Sequence, residues 1–122
     1  MRYFVCSLDA IDVAVPAHWA ERIIPVPQES AAFDQTASIS LPALFRQRTA
    51  ATPHGVLLKT PGAGRKMLLT PRIDREVEVP EEDIRRLPKV LADSLRLCSG
   101  CCFTGKGAML ILDIEAIIKE TP

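Results

Sequence analysis

The chain has 122 residues, 48% of them apolar, and its 15 lysines and arginines are matched by 15 aspartates and glutamates. That length fits one folding unit, residues 1–122, able to bury about 65% of its unfolded surface. The charge balance gives no electrostatic reason to expect nucleic acid or an anionic membrane as partner. Residues 3–8 read as a first strand, residues 9–10 as a turn and residues 11–15 as a second strand, which Pro16 stops because it lacks the N–H of a ladder. Residues 17–21 fit one helical turn, with Pro16 suited to its start. Residues 22–27 are extended again, and two prolines there favour a sheet edge.

Residues 28–38 are small, polar and aperiodic and read as a loop. A short strand at 39–41 and a helical turn at 42–46 follow, then a polar connector at 47–53; the midpoint of the architecture falls near residues 47–54. Residues 55–60 and 65–70 read as a hairpin across the turn 61–64. From Ile73 to Val79 apolar and charged residues alternate at period two. Ile73, Arg75, Val77 and Val79 would share one face, and Asp74, Glu76 and Glu78 the other, as in a half-buried strand. Pro80 and the acids Glu81, Glu82 and Asp83 mark the start of a short helix that Pro88 ends. A last hairpin joins residues 95–103 to 108–113, and residues 114–119 form a terminal helix. About nine short strands and no helix long enough for a crossover argue for a mainly β domain of small barrels or a sandwich.

No apolar run approaches the ~20 residues of a membrane span. The apolar stretch in residues 1–9 is too short for a signal peptide, so the expected location is the cytoplasm, without insertion into a membrane. The four cysteines, Cys6, Cys98, Cys101 and Cys102, are then expected as reduced thiols.

Residues 100–107, GCCFTGKG, carry the glycine and lysine spacing of a phosphate-binding loop, and Asp113 ends an apolar run as the magnesium-binding acid of such enzymes does. Two features oppose that reading. The position after Lys106 is Gly107, without the hydroxyl the metal needs, and the following segment reads as a strand where the loop should open a helix. A hairpin turn is the simpler account. Cys98, Cys101 and Cys102 form a CxxC pair with one extra thiol, but no second ligand pair is near in sequence. In a regular strand Cys98 and Cys102 point to one face and Cys101 to the other. Buried free thiols are the plain reading, and a thiol-based redox or metal protein is the alternative. His18 and His54 stand in no acid–base constellation. Trp19, the single tryptophan, serves either as a lid over the core or as an anchor for a partner. No cofactor is expected.

The order of these elements resembles the CheW-like domain of bacterial chemotaxis coupling proteins. The resemblance is carried by the strand pair YFVCSL and IDVAVP at residues 3–8 and 11–16, and by AERIIPVP at 20–27, similar to the family's V-x-E-I segment. It continues through ISLPALF at 39–45, the hairpin strands GVLLK and KMLLT at 55–59 and 66–70, and RIDREVEV at 72–79. The closing GKGAMLILDIEAII at 105–118 is similar to the family's G-x-x-x-x-L-L-D-x-x-x-L-L ending. It implies two interlocked five-stranded barrels of SH3 type with short helices and no active site. It also implies an adaptor that joins a CheA-type histidine kinase to chemoreceptors through strand edges and a groove between the barrels. Two departures stand out. The family's G-x-x-N-L-R-G-like segment is missing before Ile39, so the first barrel is expected to be trimmed, and Pro71 stands where an acid is usual. The candidate partner-binding residues are Val13 and Val15 on the second strand, Ile39, Leu41 and Phe45 near the groove, Trp19, and Arg22, Arg46 and Arg72 as rim charges; for each apolar one taken singly, a place in the core is the stronger reading. Strand edges left by the trimmed barrel leave room for a third reading, a self-associating domain that pairs edges in a homodimer.

Overall fold

The computed structural model describes residues 1–8, 11–25, 36–46, 51–59, 65–87, 89, 96–104 and 107–120. The expected turns at 9–10, 61–64 and 105–106 and the loop at 28–35 lie outside them. Nine strands fall within the described residues: β1 (Arg2–Ser7), β2 (Asp12–Pro16), β3 (Ala20–Pro25), β4 (Thr36–Ser40), β5 (His54–Leu58), β6 (Arg65–Thr70), β7 (Ile73–Glu78), β8 (Cys98–Thr104) and β9 (Gly107–Leu112). Two helices, α1 (Leu41–Leu44) and α2 (Ile114–Glu120), and two 3₁₀ turns, Ala17–Trp19 and Glu81–Asp83, complete the elements used below.

The strands make two sheets. One has five strands in the order β7-β1-β2-β9-β8, the other four in the order β3-β5-β6-β4. The mainly β class is therefore as expected, with the second sheet one strand short of a five-stranded barrel among the described residues. Strands β4 and β5, on either side of residues 47–53, lie in the same sheet. The parallel pairs β2–β9 and β4–β6 interlock segments distant in sequence.

Strands β1, β2 and β9 are buried on both faces, which explains their nearly continuous apolar runs. Cys6, Val13, Val15 and Leu112 point into a core shared with Ile39, Leu41, Val56, Leu58 and Leu68 of the second sheet. Tyr3, Val5, Ala14, Met109 and Ile111 point the opposite way, into a smaller core with Val79 and Cys102. Helix α2 covers the shared core with Ile114 and Ile117. Asp113 caps it, its Oδ1 accepting from Ala116 N–H at 3.1 Å. Ser40 caps α1, its hydroxyl oxygen accepting from Ala43 N–H at 3.3 Å. The only buried polar side chain among the described residues, Thr70, donates to the Arg72 carbonyl at 3.3 Å where the chain passes from one sheet to the other.

Five local readings change. Strand β4 begins at Thr36 instead of Ile39, because the main chain of β6 pairs all of it in parallel register and supplies the order its small polar residues lack. Residues 17–19 alone make the first turn, and Ala20 and Glu21 already belong to β3. The helix expected after Pro80 is one 3₁₀ turn; Arg85 then leaves it to pair with Cys101. Strand β8 starts at Cys98, after a turn at Arg96 and Leu97. Finally, two bulges break the alternation of faces. Between Val5↔Arg75 and Cys6↔Ile73 the strand β7 carries one extra residue, Asp74, so Ile73 turns to the shared core while Val77 faces the smaller one. Between Cys98↔Leu112 and Gly100↔Ile111 the extra residue is Ser99. Cys98 therefore packs with Leu112 in the shared core and Cys102 with Met109 in the smaller one, contrary to the common face expected for them.

Candidate interaction surface

The described surface holds three exposed large apolar side chains: Met1 at 54%, Ile23 at 39% and Phe103 at 70%. Two of them line one groove of about 490 Å³, built from Met1, Arg2 and Phe4 of the first sheet and from Ala17, His18 and residues 20–23. Its position follows from strand order. β3 is the terminal strand of its sheet, β1 is an interior strand of the other, and residues of both line the groove.

Local register aims the side chains. The step from Ala20↔Leu58 to Arg22↔Leu57 leaves Glu21 as the extra residue of a bulge. Ala20 and Ile23 then share the face of Leu58 and Val56, both members of the shared core, while Arg22 follows Leu57 to the opposite face. Ile23 is thus turned inward at a place where the core has run out of cover. Glu21 and Arg22 are exposed at the rim, and the Arg2 guanidinium pairs with the Glu76 carboxylate behind it. The result is an apolar floor of Met1, Phe4, Ala17, Ala20 and Ile23 with a mixed-charge rim.

The residues expected to bind partners divide sharply. Val13, Val15, Ile39 and Leu41 are buried in the shared core and present no surface in this fold. They are core because both strand faces carry a layer, which alternation alone does not reveal. Phe45 and Trp19 are half-buried and pack against that core, and the Trp19 ring meets the His18 ring with centroids 5.8 Å apart. Trp19 therefore sits as a lid. Of the three arginines only Arg22 lines the groove. Arg72 is exposed beside Asp74 at 4.0 Å. Arg46 is exposed at the end of α1 with φ +54°, the one non-glycine residue of positive φ among those described. Sequence reasoning missed Met1 and Ile23. The run Glu21-Arg22-Ile23-Ile24, in which apolar residues follow two charges without alternation, is the only local trace of the bulge.

The chemical alternatives can be weighed on the same geometry. Strands β8 and β9 pair through to Thr104↔Gly107, and the residues after Gly107 continue as a strand where a phosphate-binding loop would open a helix. Asp113, the would-be magnesium ligand, is used as a helix cap. Burial pushes the Cys6 thiol from its ordinary 9.0 up to about 11, against a smaller opposing hydrogen bond from Thr70. Burial likewise takes Cys98 to about 11, helped by the nearby Asp113 charge, and raises Cys102. With no ion bound, these three thiols are held as the protonated, weakly nucleophilic form at neutral pH. Among the described residues no three His, Cys, Asp or Glu side chains stand together as a metal site. No helix among them is long and apolar enough to cross a membrane.

No family model matches this sequence, and no curated protein sequence matches it. Its fold is nevertheless found among solved structures. The crystal structure of the scaffolding protein TtCheW from Thermoanaerobacter tengcongensis superposes with a TM-score of 0.74 at 12% identity, covering 93% of this chain and 84% of that one. At that identity the likeness shows the fold alone, which is CheW-like.

Proposed function

We propose that this chain is a non-catalytic cytoplasmic adaptor of the chemotaxis-coupling type, joining a CheA-type histidine kinase and a chemoreceptor. Its partners dock on the groove between β1 and β3. The likeness to a scaffolding protein over 93% of the chain carries this reading. The groove supports it, because it gathers two of the three exposed large apolar side chains of the described residues, Met1 and Ile23, in one place. Arg22 at the rim sets orientation and encounter rate more than affinity.

The test is a calorimetric titration of the chain with the CheA-type kinase of its own organism. Binding in the micromolar range is expected, corresponding to roughly −8 kcal/mol. Ile23→Lys, which places a charge on the groove floor at a half-exposed site, should weaken it roughly tenfold or more, a loss of about 1.4 kcal/mol, without lowering the melting temperature. Absence of binding at about 100 μM would sink the reading.

A further inference from the structure

Each sheet has one terminal strand that carries charges and one that carries none. The open edges of β3 and β7 carry charges or proline, namely Glu21, Arg22 and Pro25 on one and Asp74, Arg75, Glu76 and Glu78 on the other. Such residues deter the addition of another strand. The other two terminal strands, β4 (TASIS) and β8 (CSGCCFT), carry no charge, and β8 is the longer of them.

Among the described residues outside β9, Arg85 alone pairs its main chain with β8. Arg85 N–H donates to the Cys101 carbonyl at 2.8 Å, and Cys101 N–H donates back to Arg85 at 2.9 Å. Two apolar pegs flank the contact: Ile84 packs half-buried on the smaller core, and Leu87 half-buried on the shared one. The 3₁₀ turn before them, Glu81–Asp83, buries no residue. These reciprocal bonds direct the main-chain groups of Cys101 away from β9. Because antiparallel ladders alternate, those of Phe103 point to the same open side. Among the described residues the lane outside β8 is therefore paired at Cys101 and has no main-chain partner at Phe103, which is 70% exposed.

We propose that residues 84–87 are a detachable strap occluding a strand-acceptor edge on β8, and that release of the strap admits an extended segment of a protein partner. The strap is itself the template for that occupant. It lies antiparallel, with an apolar side chain in the place of Ile84 and main-chain groups bonded to Cys101, and an incoming strand would continue the ladder to Phe103. The proposal stands apart from the adaptor reading, since it concerns the other sheet and needs no kinase.

Native-state hydrogen exchange on the whole chain tests detachment. The amides of Arg85 and Cys101 should exchange together, roughly 100-fold or more faster than those of Val5 and Val15, by local rather than global opening. Exchange at the same rate as the core would overturn the strap. A synthetic peptide of residues 82–89, EDIRRLPK, then tests the acceptor edge. Arg85→Pro removes the donor and frees the lane, so this variant should bind the peptide with Kd below about 1 mM and gain protection at Cys101 and Phe103, while the wild-type chain binds roughly tenfold more weakly. Ile84→Ser, which draws the peg without touching the main chain, should behave alike if Arg85→Pro fails to fold. Equal binding to wild type and variants, or none to any, would overturn the acceptor edge.

Discussion

Gly100 lies against the backbone of Arg85: a Cβ on Gly100 would stand 2.8 Å from the Arg85 carbonyl oxygen and 3.2 Å from Ile84 Cγ2. Main chain cannot yield as a flexible side chain can, so the close approach that closes the five-stranded sheet requires glycine here. Gly100→Ala should destabilise the chain by about 1–3 kcal/mol, the usual range for overpacking. Chemical denaturation measures the loss, and hydrogen exchange should place it at Arg85 and Cys101. A variant as stable as wild type would mean that the strap moves aside freely.

Much of this architecture was legible because strand periodicity and turn residues are local signals. The alternation from Ile73 to Val79, the proline-limited edge strand and the terminal helix were all readable in the chain. The two bulges of the five-stranded sheet were not. Asp74 and Ser99 become extra residues only through the partners opposite them, and each reverses the faces of everything beyond it. The same limit explains the site. Val13 and Leu41 have the composition of an interface and of a core alike, and burial on both strand faces decides for the core. Ile23 is exposed because the second sheet ends at β3, a tertiary fact with no local signature.

Cys6 gives a pH dependence of defined sign. Its folded-state pKa, about 11, lies above the ordinary 9.0, so the folded chain holds the proton more tightly than the unfolded one. The associated stability is fully present below pH 9 and is lost as pH rises towards 11; Cys98 and Tyr3, also raised by burial, act in the same direction. For Cys6 the loss is on the order of 2–3 kcal/mol. Guanidinium midpoints measured from pH 7 to 10.5 should fall above pH 9, and Cys6→Ala, though less stable throughout, should show a shallower fall. Parallel profiles for the two proteins would contradict the assignment.

Arg46 holds a left-handed backbone, φ +54°, directly after α1, where glycine is the usual residue. A side chain there costs about 1 kcal/mol relative to glycine. Arg46→Gly should therefore raise stability by up to about 1 kcal/mol despite the greater freedom of glycine in the unfolded chain. Thermal denaturation checks it. If Arg46 also serves as a rim charge for a partner, the stabilised variant should lose affinity for the kinase, separating the two roles in one protein.

Asp113 offers a direct comparison between its two readings. As the cap of α2, its replacement by alanine should cost about 1 kcal/mol, with asparagine largely restoring the loss because its side-chain oxygen still accepts from Ala116. As a magnesium ligand, by contrast, asparagine would abolish function as fully as alanine. Adding ATP and magnesium to the wild-type chain should leave its melting temperature unchanged, since a ligand at 100 times its Kd would stabilise the folded state by about 2.7 kcal/mol. A nucleotide-dependent rise that Asp113→Asn removes would revive the phosphate-loop reading.

Core and surface roles separate most cleanly by pairing Leu41 with Ile23. Leu41 is fully buried among the shared-core side chains, and Leu41→Ala should cost about 2–5 kcal/mol, depending on how far the site collapses. What remains folded should bind the kinase with unchanged affinity, because the cavity lies inside the core and Leu41 is absent from the groove lining. Ile23→Lys should do the reverse, keeping stability within about 0.5 kcal/mol, as surface changes usually do, while weakening the complex. Measuring unfolding and binding on both variants fixes the assignment. If Leu41→Ala weakened binding per folded molecule and Ile23→Lys did not, the docking surface would have to be sought elsewhere on the chain.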